Sequence, residues 1–271
     1  MLQQLMGRAA EAHKHGRFDE AEGLYLQVLQ TRPDLFEAQH SLGVLRGQQG
    51  RHEEALALFE AALRVHPDAA GVLVNCGMVL HNLKRHTEAL ASFNKALAIS
   101  PDYALALNNR GPVLSALGRD RDALKSYIAA LAVRPDYADA YNNMGGLLTE
   151  LGRLDDAKAA LHRALELNPR LMGAYVNLGK CKIFTADDPH LAAMQALERD
   201  MGLSKADRTR LHFALGKAYA DIKDHNRAFE SLSHGNALKR AQIVYDEAAT
   251  LRLFKSTEAT FTRDLVSAKA G

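Results

Sequence analysis

The chain has 271 residues, with 34 Lys and Arg against 32 Asp and Glu, 47% hydrophobic residues and no Trp. This apolar fraction is typical of a folded protein, and a net charge of +2 argues against strong attraction to nucleic acid. Two cysteines cannot form a disulfide framework, and no apolar run resembles a secretory signal or a membrane span. We therefore expect a reducing, cytoplasmic location, no nucleic-acid partner and no membrane insertion.

Three residue types recur along the chain with one period, which predicts a repeat protein. Five prolines from Pro33 to Pro169 are each 34 residues apart. Glycines from Gly43 to Gly179 and alanines from Ala21 to Ala157 keep the same step. A shared period in three independent residue types indicates a repeated structural unit.

Residues 138–171 show how one unit is built. Before Gly152, small and apolar residues recur at i, i+3, i+4 and i+7, which is the period of one α-helical face, and a second helix is expected after it. We expect two helices joined at Gly152, where left-handed backbone is favoured, and closed at Pro169. The first helix carries Tyr141, Met144, Gly145 and Leu148, and the second carries Leu154, Ala157, Leu161 and Ala164.

Taken over the chain, the 34-residue unit, with Leu-Gly in its first helix, Ala and an aromatic in its second and a closing Pro, resembles the tetratricopeptide repeat. The resemblance implies an all-α fold, a right-handed α-solenoid (superhelix) of antiparallel helix pairs. We expect five regular repeats over residues 1–171, a divergent sixth over 172–204 and a degenerate seventh over 205–241. Residues 242–271 are expected to form capping helices and a tail, all in one continuous solenoid.

The pattern changes in the sixth unit, where Asp188 and Pro189 predict a new N-cap and helix start, the helix continuing to about Met201. Ser204 is expected to cap the next helix. Residues 187–262 resemble the linker half of bacterial fusions in which tetratricopeptide repeats precede a sulfotransferase domain. The phosphosulfate-binding loop of that family does not occur in this sequence. The chain is therefore either the repeat half of a longer protein or a relative without the enzyme.

Asparagine recurs with the same period at a position that faces away from the predicted helix-pair contact. The positions are Asn75, Asn109, Asn143 and Asn177. A carboxamide can pair with a peptide backbone, which presents a donor and an acceptor in each residue. This ladder resembles the repeat region of O-linked N-acetylglucosamine transferases, which implies that it holds an extended peptide. The alternative is that these asparagines are simply common in the repeat and solvated.

Neighbouring positions predict a groove with a mostly neutral wall. It lacks the Lys and Arg set with which chaperone-cofactor relatives grip a terminal carboxylate, so we expect recognition of backbone and shallow apolar features. Pro112 either kinks its helix or widens the groove locally. The remaining candidate groove residues are Asn108, Asn142, His40, Met78, His81 and Lys180.

No motif in the sequence predicts catalysis, a metal site or a cofactor. The leading hypothesis is a non-enzymatic protein–protein interaction scaffold that binds an extended peptide or a partner helix in its concave groove. One alternative is the substrate-recruiting region of a larger transferase, of sulfotransferase or glycosyltransferase type. Another is a repeat protein that self-assembles through its end repeats.

Overall fold

The computed structural model describes residues 1–242 and 247–260, which are α-helices joined by short turns and contain no strand. Residues 243–246 and 261–271, including the predicted C-terminal tail, lie outside the described residues. The chain forms two compact units, residues Met1–Ile183 and a second unit from Phe184 onward. No helix among the described residues has both the length and the apolar character that crossing a membrane would need.

The first unit, called unit 1, contains five helix pairs and one further helix. We call the first helix of each pair helix A and the second helix B. Every helix A has 13 residues and every helix B has 14. The helices are α1 (Leu2–Lys14), α2 (Phe18–Thr31), α3 (Phe36–Gln48), α4 (His52–Val65), α5 (Ala70–Asn82), α6 (His86–Ile99), α7 (Ala104–Ala116), α8 (Asp120–Val133), α9 (Ala138–Glu150), α10 (Leu154–Leu167) and α11 (Met172–Cys181).

Close contact between the two helices of a pair depends on the repeated glycine of helix A. A Cβ atom on Gly77 would lie 2.7 Å from the Phe93 ring of helix B, closer than van der Waals contact allows. The absent side chain lets the ring fill this space, and Phe93 is fully buried. The same fit joins Gly43 to Phe59. The 34-residue period of glycine and aromatic residues therefore fixes the spacing within each pair.

The turn between the two helices uses left-handed backbone, as the sequence predicted for Gly152. Gly16, Gly50 and Gly118 also have positive φ, between 70° and 78°. In the third repeat Lys84 takes this place with φ of 63°, so the conformation persists without glycine at the cost of some backbone strain.

The order of contacts explains how unit 1 curves. Each helix A packs on its own helix B, on the preceding helix B and on the helix A of the next repeat. Helices B have no comparable contact with one another within this fully described unit. The helix A layer is therefore the shorter, inner side of the array. This confirms the predicted all-α, right-handed solenoid of antiparallel pairs.

Pro112 and two surface ion pairs are local features of unit 1. Helix α7 continues through Pro112 as one helix from Ala104 to Ala116. The pairs Arg51–Glu54 and Arg119–Asp122 are exposed ion pairs of one helical turn, which contribute little stability each.

The second unit, unit 2, contains α12 (Pro189–Glu198), α13 (Lys205–Asp221), α14 (His225–Arg240) and α15 (Glu247–Thr260) among its described residues. The Asp188 side chain accepts a hydrogen bond from the His190 amide at the start of α12, and Ser204 caps α13 in the same way, both as predicted. Helix α12 ends at Glu198, three residues before the expected Met201. Helices α13 and α14 form a pair in which Gly216 faces Leu232.

Candidate peptide-binding groove

The asparagines of the inner layer form hydrogen bonds between neighbouring repeats. Asn177 Nδ2 donates to Asn142 Oδ1 at 3.0 Å, and Asn143 Nδ2 donates to Asn108 Oδ1 at 3.1 Å. Both bonds reach from one helix A to the residue 35 positions earlier, which is one repeat and one residue back. The amides therefore tie adjacent A helices together in register.

Longer hydrogen bonds connect these cross-repeat pairs into a chain. Asn142 Nδ2 donates to Asn143 Oδ1 at 3.5 Å, and Asn108 Nδ2 donates to Asn109 Oδ1 at 3.3 Å. Lys180 Nζ donates to Asn177 Oδ1 at 3.3 Å at the far end. A polar chain thus runs along the inner face over three repeats.

The chain ends at Asn109, whose Nδ2 is buried and has no hydrogen-bond partner. The residue 35 positions before Asn109 is Val74, which is fully buried and has no acceptor in its side chain. The repeat before it is bridged differently. Asn75 Nδ2 donates to His40 Nε2 at 2.9 Å, and burial lowers the pKa of His40, which keeps this imidazole neutral and able to accept.

These contacts leave part of the ladder free for a ligand. A carboxamide has two N–H donors and an oxygen with two lone pairs, so one cross-repeat bond does not exhaust it. The side chains of Asn75, Asn109, Asn143 and Asn177 are half-buried, whereas that of Asn108 is only 4% exposed. Asn108 is thus placed to hold Asn143 rather than to touch a ligand.

A pocket of about 330 Å³ opens between α3 and α5 on the inner face. Its apolar wall comes from Val44, Met78 and Val79, and buried Phe59 lies at its base. Its polar groups are uncharged amides. The full lining is Val44, Gly47, Gln48, Phe59, Asn75, Met78, Val79 and Asn82.

A second pocket of about 380 Å³ opens between α7 and α9. Pro112 contributes to its wall, and burial raises the pKa of Tyr127 at its base, so that hydroxyl stays neutral. Glu150 is the one residue of this lining that carries a charge at neutral pH. The full lining is Pro112, Ser115, Ala116, Tyr127, Asn143, Gly146, Leu147, Glu150 and Asn177.

The two pockets are the same site in different repeats. All eight residues of the first pocket, moved along the chain by two 34-residue repeats, fall on residues of the second. Met78 then corresponds to Gly146, and Asn82 corresponds to Glu150. The repeat therefore supplies one pocket geometry, and the variable residues give each copy its own chemistry.

His81 lies in the repeat between these two pockets, at the position that corresponds to Gly47 in the first and to Ser115 in the second. Its Nδ1 is 3.2 Å from Nδ1 of His86 at the start of α6. Burial lowers the pKa of His81, and the neighbouring His86 lowers it further. The two rings form a hydrogen-bonded pair, in which the lowered pKa of His81 favours its neutral form.

Several pocket residues were absent from the sequence prediction, chiefly Phe59, Tyr127, Ser115 and Gly146. Their signal is the same 34-residue period, which places them at fixed offsets from the ladder asparagines. Val74 is buried in the core beneath the groove.

Neither cysteine has the surroundings of a nucleophile. Cys76 and Cys181 are free and buried, and burial raises the pKa of Cys76 to about 12. Burial also raises the pKa of Cys181. Within the part of the chain that the structure describes, no three His, Cys, Asp or Glu side chains come together as a metal site.

Residues 6–56, 40–104 and 138–171 match family models described as tetratricopeptide repeats. The chain belongs to the tetratricopeptide-repeat family. The matched segments cover most of the five helix pairs whose inner faces form the groove. Proteins of this family and fold are typically non-catalytic interaction scaffolds.

Solved structures show the same fold. A tetratricopeptide repeat protein from Parabacteroides merdae is 18% identical, with 94% of this chain and 97% of that one covered and a TM-score of 0.66. A thermophilic repeat protein from Thermus thermophilus is 24% identical, covering 67% and 98%, with a TM-score of 0.57. MamA is 22% identical, covering 60% and 95%, with a TM-score of 0.54. Comparison with curated proteins finds no match.

Proposed function

We propose that this tetratricopeptide-repeat protein is a non-enzymatic scaffold that binds an extended peptide in the groove formed by its A helices. The observation that carries the proposal is the repeated pocket, which occurs twice on the inner face beside the asparagine ladder. Partly free amides next to shallow pockets suit a ligand that presents backbone donors and acceptors along its length. The proposal includes a cytoplasmic location, supported by two unpaired cysteines.

An extended strand fits this arrangement better than a helix. A helical ligand satisfies its own backbone groups and has little use for a row of amides. An extended peptide leaves every backbone N–H and C=O unpaired, so the ladder can bind it whatever its sequence. Side-chain pockets at regular intervals then supply selectivity.

The test is selection of ligands by the full-length chain from a displayed library of random 12-residue peptides. Selected peptides are then synthesised, and their affinities are measured by fluorescence anisotropy. Met78→Glu introduces a charge on the wall of the first pocket, where the Met78 side chain is 42% exposed. We expect this variant to bind the selected peptides at least about tenfold more weakly, because an apolar contact is replaced by a charge that must be desolvated.

Ile128→Glu is the matched control. Ile128 is 55% exposed and lies on helix B, on the side of unit 1 away from the ladder. The control makes the same chemical change at similar exposure, and it should leave peptide affinity unchanged. Selection that yields no ligand, or ligands that respond to Ile128→Glu and not to Met78→Glu, would refute binding in the groove.

Self-association is a second candidate, favoured by one observation in unit 2. Phe229 of α14 is 73% exposed, although its counterpart in the second repeat, Leu56, is buried by the following helix pair. A second copy of the chain would cover this apolar surface. Light scattering at millimolar concentration should then give a mass above that of one chain for the wild type, and the mass of one chain for Phe229→Asp. A single-chain mass for both proteins would exclude this candidate.

A further inference from the structure

The two equivalent pockets differ most at the two positions that face a ligand. In the first, these positions hold Met78 and Asn82, and in the second they hold Gly146 and Glu150. A long apolar side chain is thus replaced by a glycine, beside which the Asn177 amide packs 3.3 Å from where a Cβ would lie, and a neutral amide is replaced by a carboxylate. The ladder asparagine is the same in both pockets, so the change in charge bears directly on what each pocket accepts.

The first pocket favours an aliphatic side chain. Its lining contains no ionisable group, and the Nδ2 of Asn75 already donates to His40. The surface left to a ligand combines the apolar side chains of Val44 and Met78 with the neutral amides of Gln48 and Asn82. Burying an aliphatic side chain there removes apolar area from water on both partners.

The second pocket favours a basic side chain. Glu150 is exposed at its rim, and the Ser115 hydroxyl donates to Asp120 Oδ1 at 2.7 Å, which brings a second carboxylate close to the lining. The nearby cation, Lys180, is hydrogen-bonded to Asn177. Gly146 adds no side chain to this wall, and the Asn177 amide packs against it.

The distance between the pockets sets the spacing of the two side chains. Consecutive A helices contact each other, and packed helices lie about 8–10 Å apart. Two such steps separate the pockets, or roughly 16–20 Å. An extended chain rises about 3.3 Å per residue, so the two side chains are about five or six residues apart.

We propose that the groove selects an extended peptide that carries an aliphatic side chain and, five or six residues away, a Lys or Arg side chain. The aliphatic side chain occupies the pocket of Met78, and the basic one occupies the pocket of Glu150. This inference rests on the proposed peptide-binding function and adds to it the class of partner.

Three synthetic 12-residue peptides test the inference on the full-length chain. Each has Leu at one position and either Lys, Ser or Glu six residues away, in an otherwise identical Gly/Ser/Thr sequence. We expect affinity to fall in the order Lys, Ser, Glu. Replacing the Leu with Ser should lower affinity about tenfold or more, since burial of the side chain is lost.

Glu150→Gln should weaken binding of the Leu/Lys peptide about threefold, which is the effect expected from the loss of one exposed ion pair. The affinity for the Leu/Ser peptide should not change. High salt should remove the difference. Glu53→Gln is the matched control, because it makes the same change in net charge at an exposed site outside the pockets. It should have no effect on either peptide.

Two results would overturn the inference: equal effects of Glu150→Gln and Glu53→Gln, or a Leu/Glu peptide that binds as tightly as Leu/Lys. If library selection yields ligands sensitive to Met78→Glu that share no basic position, the charge preference fails and the groove function stands. If selection yields no groove ligand at all, the proposed function fails with it.

Discussion

The helix pairs α9–α10 and α13–α14 are built alike and end in different surroundings. A Cβ on Gly145 would lie 2.6 Å from Leu161, and one on Gly216 would lie 2.7 Å from Leu232. Leu161 is fully buried, whereas Leu232 is 39% exposed. Helix α11 packs against α10, but among the described residues α14 has comparable contact only with its own pair partner, α13. The fit within a pair is therefore local, while burial of its outer side chains depends on the next repeat.

The largest expected effect is the difference between Leu161→Ala and Leu232→Ala. The first leaves a cavity between α10 and its neighbours and should cost about 3 kcal/mol of unfolding free energy. The second removes a side chain that water already reaches, and should cost about 1 kcal/mol. Urea unfolding followed by circular dichroism measures both. Equal costs would mean that α14 is covered in solution.

Gly145→Ala and Gly216→Ala separate steric fit from helix propensity. Alanine in a helix is favoured over glycine by about 1 kcal/mol. At Gly145 the added methyl meets a buried Leu161 that has no space to move, so we expect a net loss of about 1–2 kcal/mol. At Gly216 the half-exposed Leu232 turns outward, and the net change should be near zero. A loss at Gly216 as large as at Gly145 would contradict this account of the pair contact.

On the inner face, an asparagine with a hydrogen-bond partner in the preceding repeat can be compared with one that lacks such a partner. Asn143 donates to Asn108 of the preceding repeat, whereas Asn109 faces Val74 and its Nδ2 is unpaired. We expect Asn143→Ala to cost about 1–2 kcal/mol, because Asn108 loses a buried partner. Asn109→Ala should cost less, about 0.5 kcal/mol, because it removes only the longer 3.3 Å bond from Asn108 Nδ2 and an Nδ2 group that has no partner of its own. Thermal unfolding of both variants measures the difference, and a reversed order would show that the ladder does not stabilise repeat contacts.

The smallest expected effect concerns pH. Burial lowers the pKa of His40 below its ordinary value of 6.5, so the unfolded chain binds more protons as pH falls through that value. The stabilisation that neutral His40 provides is therefore present above about pH 6.5 and is lost as the pH falls below that value. The loss of unfolding free energy is smaller than the roughly 1 kcal/mol that one hydrogen bond contributes. His40→Asn keeps an acceptor for Asn75 and replaces the imidazole with a group that does not titrate. Asn108 and Asn142 are the natural asparagines at the equivalent positions of later repeats. Its urea midpoint should fall less between pH 7.5 and 5.5, and an unchanged pH dependence would remove His40 from this role.

Much of the fold could be predicted because the same residue pattern recurs in successive repeats. Gly43 and Phe59 predict little alone, but the same pair at Gly77 and Phe93 shows that a small residue and a ring meet at a fixed separation. The caps at Asp188 and Ser204 were also readable, since capping is a local interaction. The end of α12 was misplaced because helix ends are weakly encoded.

The groove was only partly predictable. The 34-residue spacing brought Asn75, Asn109, Asn143 and Asn177 to one face, but spacing alone does not tell which amide meets an acceptor in the next repeat. The bond partner lies 35 residues away rather than 34, and that offset is decided by how adjacent A helices pack. The pockets likewise combine residues from three or more helices, so their lining emerges only after packing.

The sequence by itself determined the period, the helix pairs and the left-handed turns, because each depends on residues within a single 34-residue unit. The tertiary structure decided which asparagine stays unpaired, which leucine is buried and what each pocket offers a ligand. Those properties depend on contacts between units, and the residues at the variable positions differ from one repeat to the next. Val74 illustrates this: it is a core residue of its own helix, and it occupies the position 35 residues before Asn109 at which Asn143 and Asn177 find an amide acceptor.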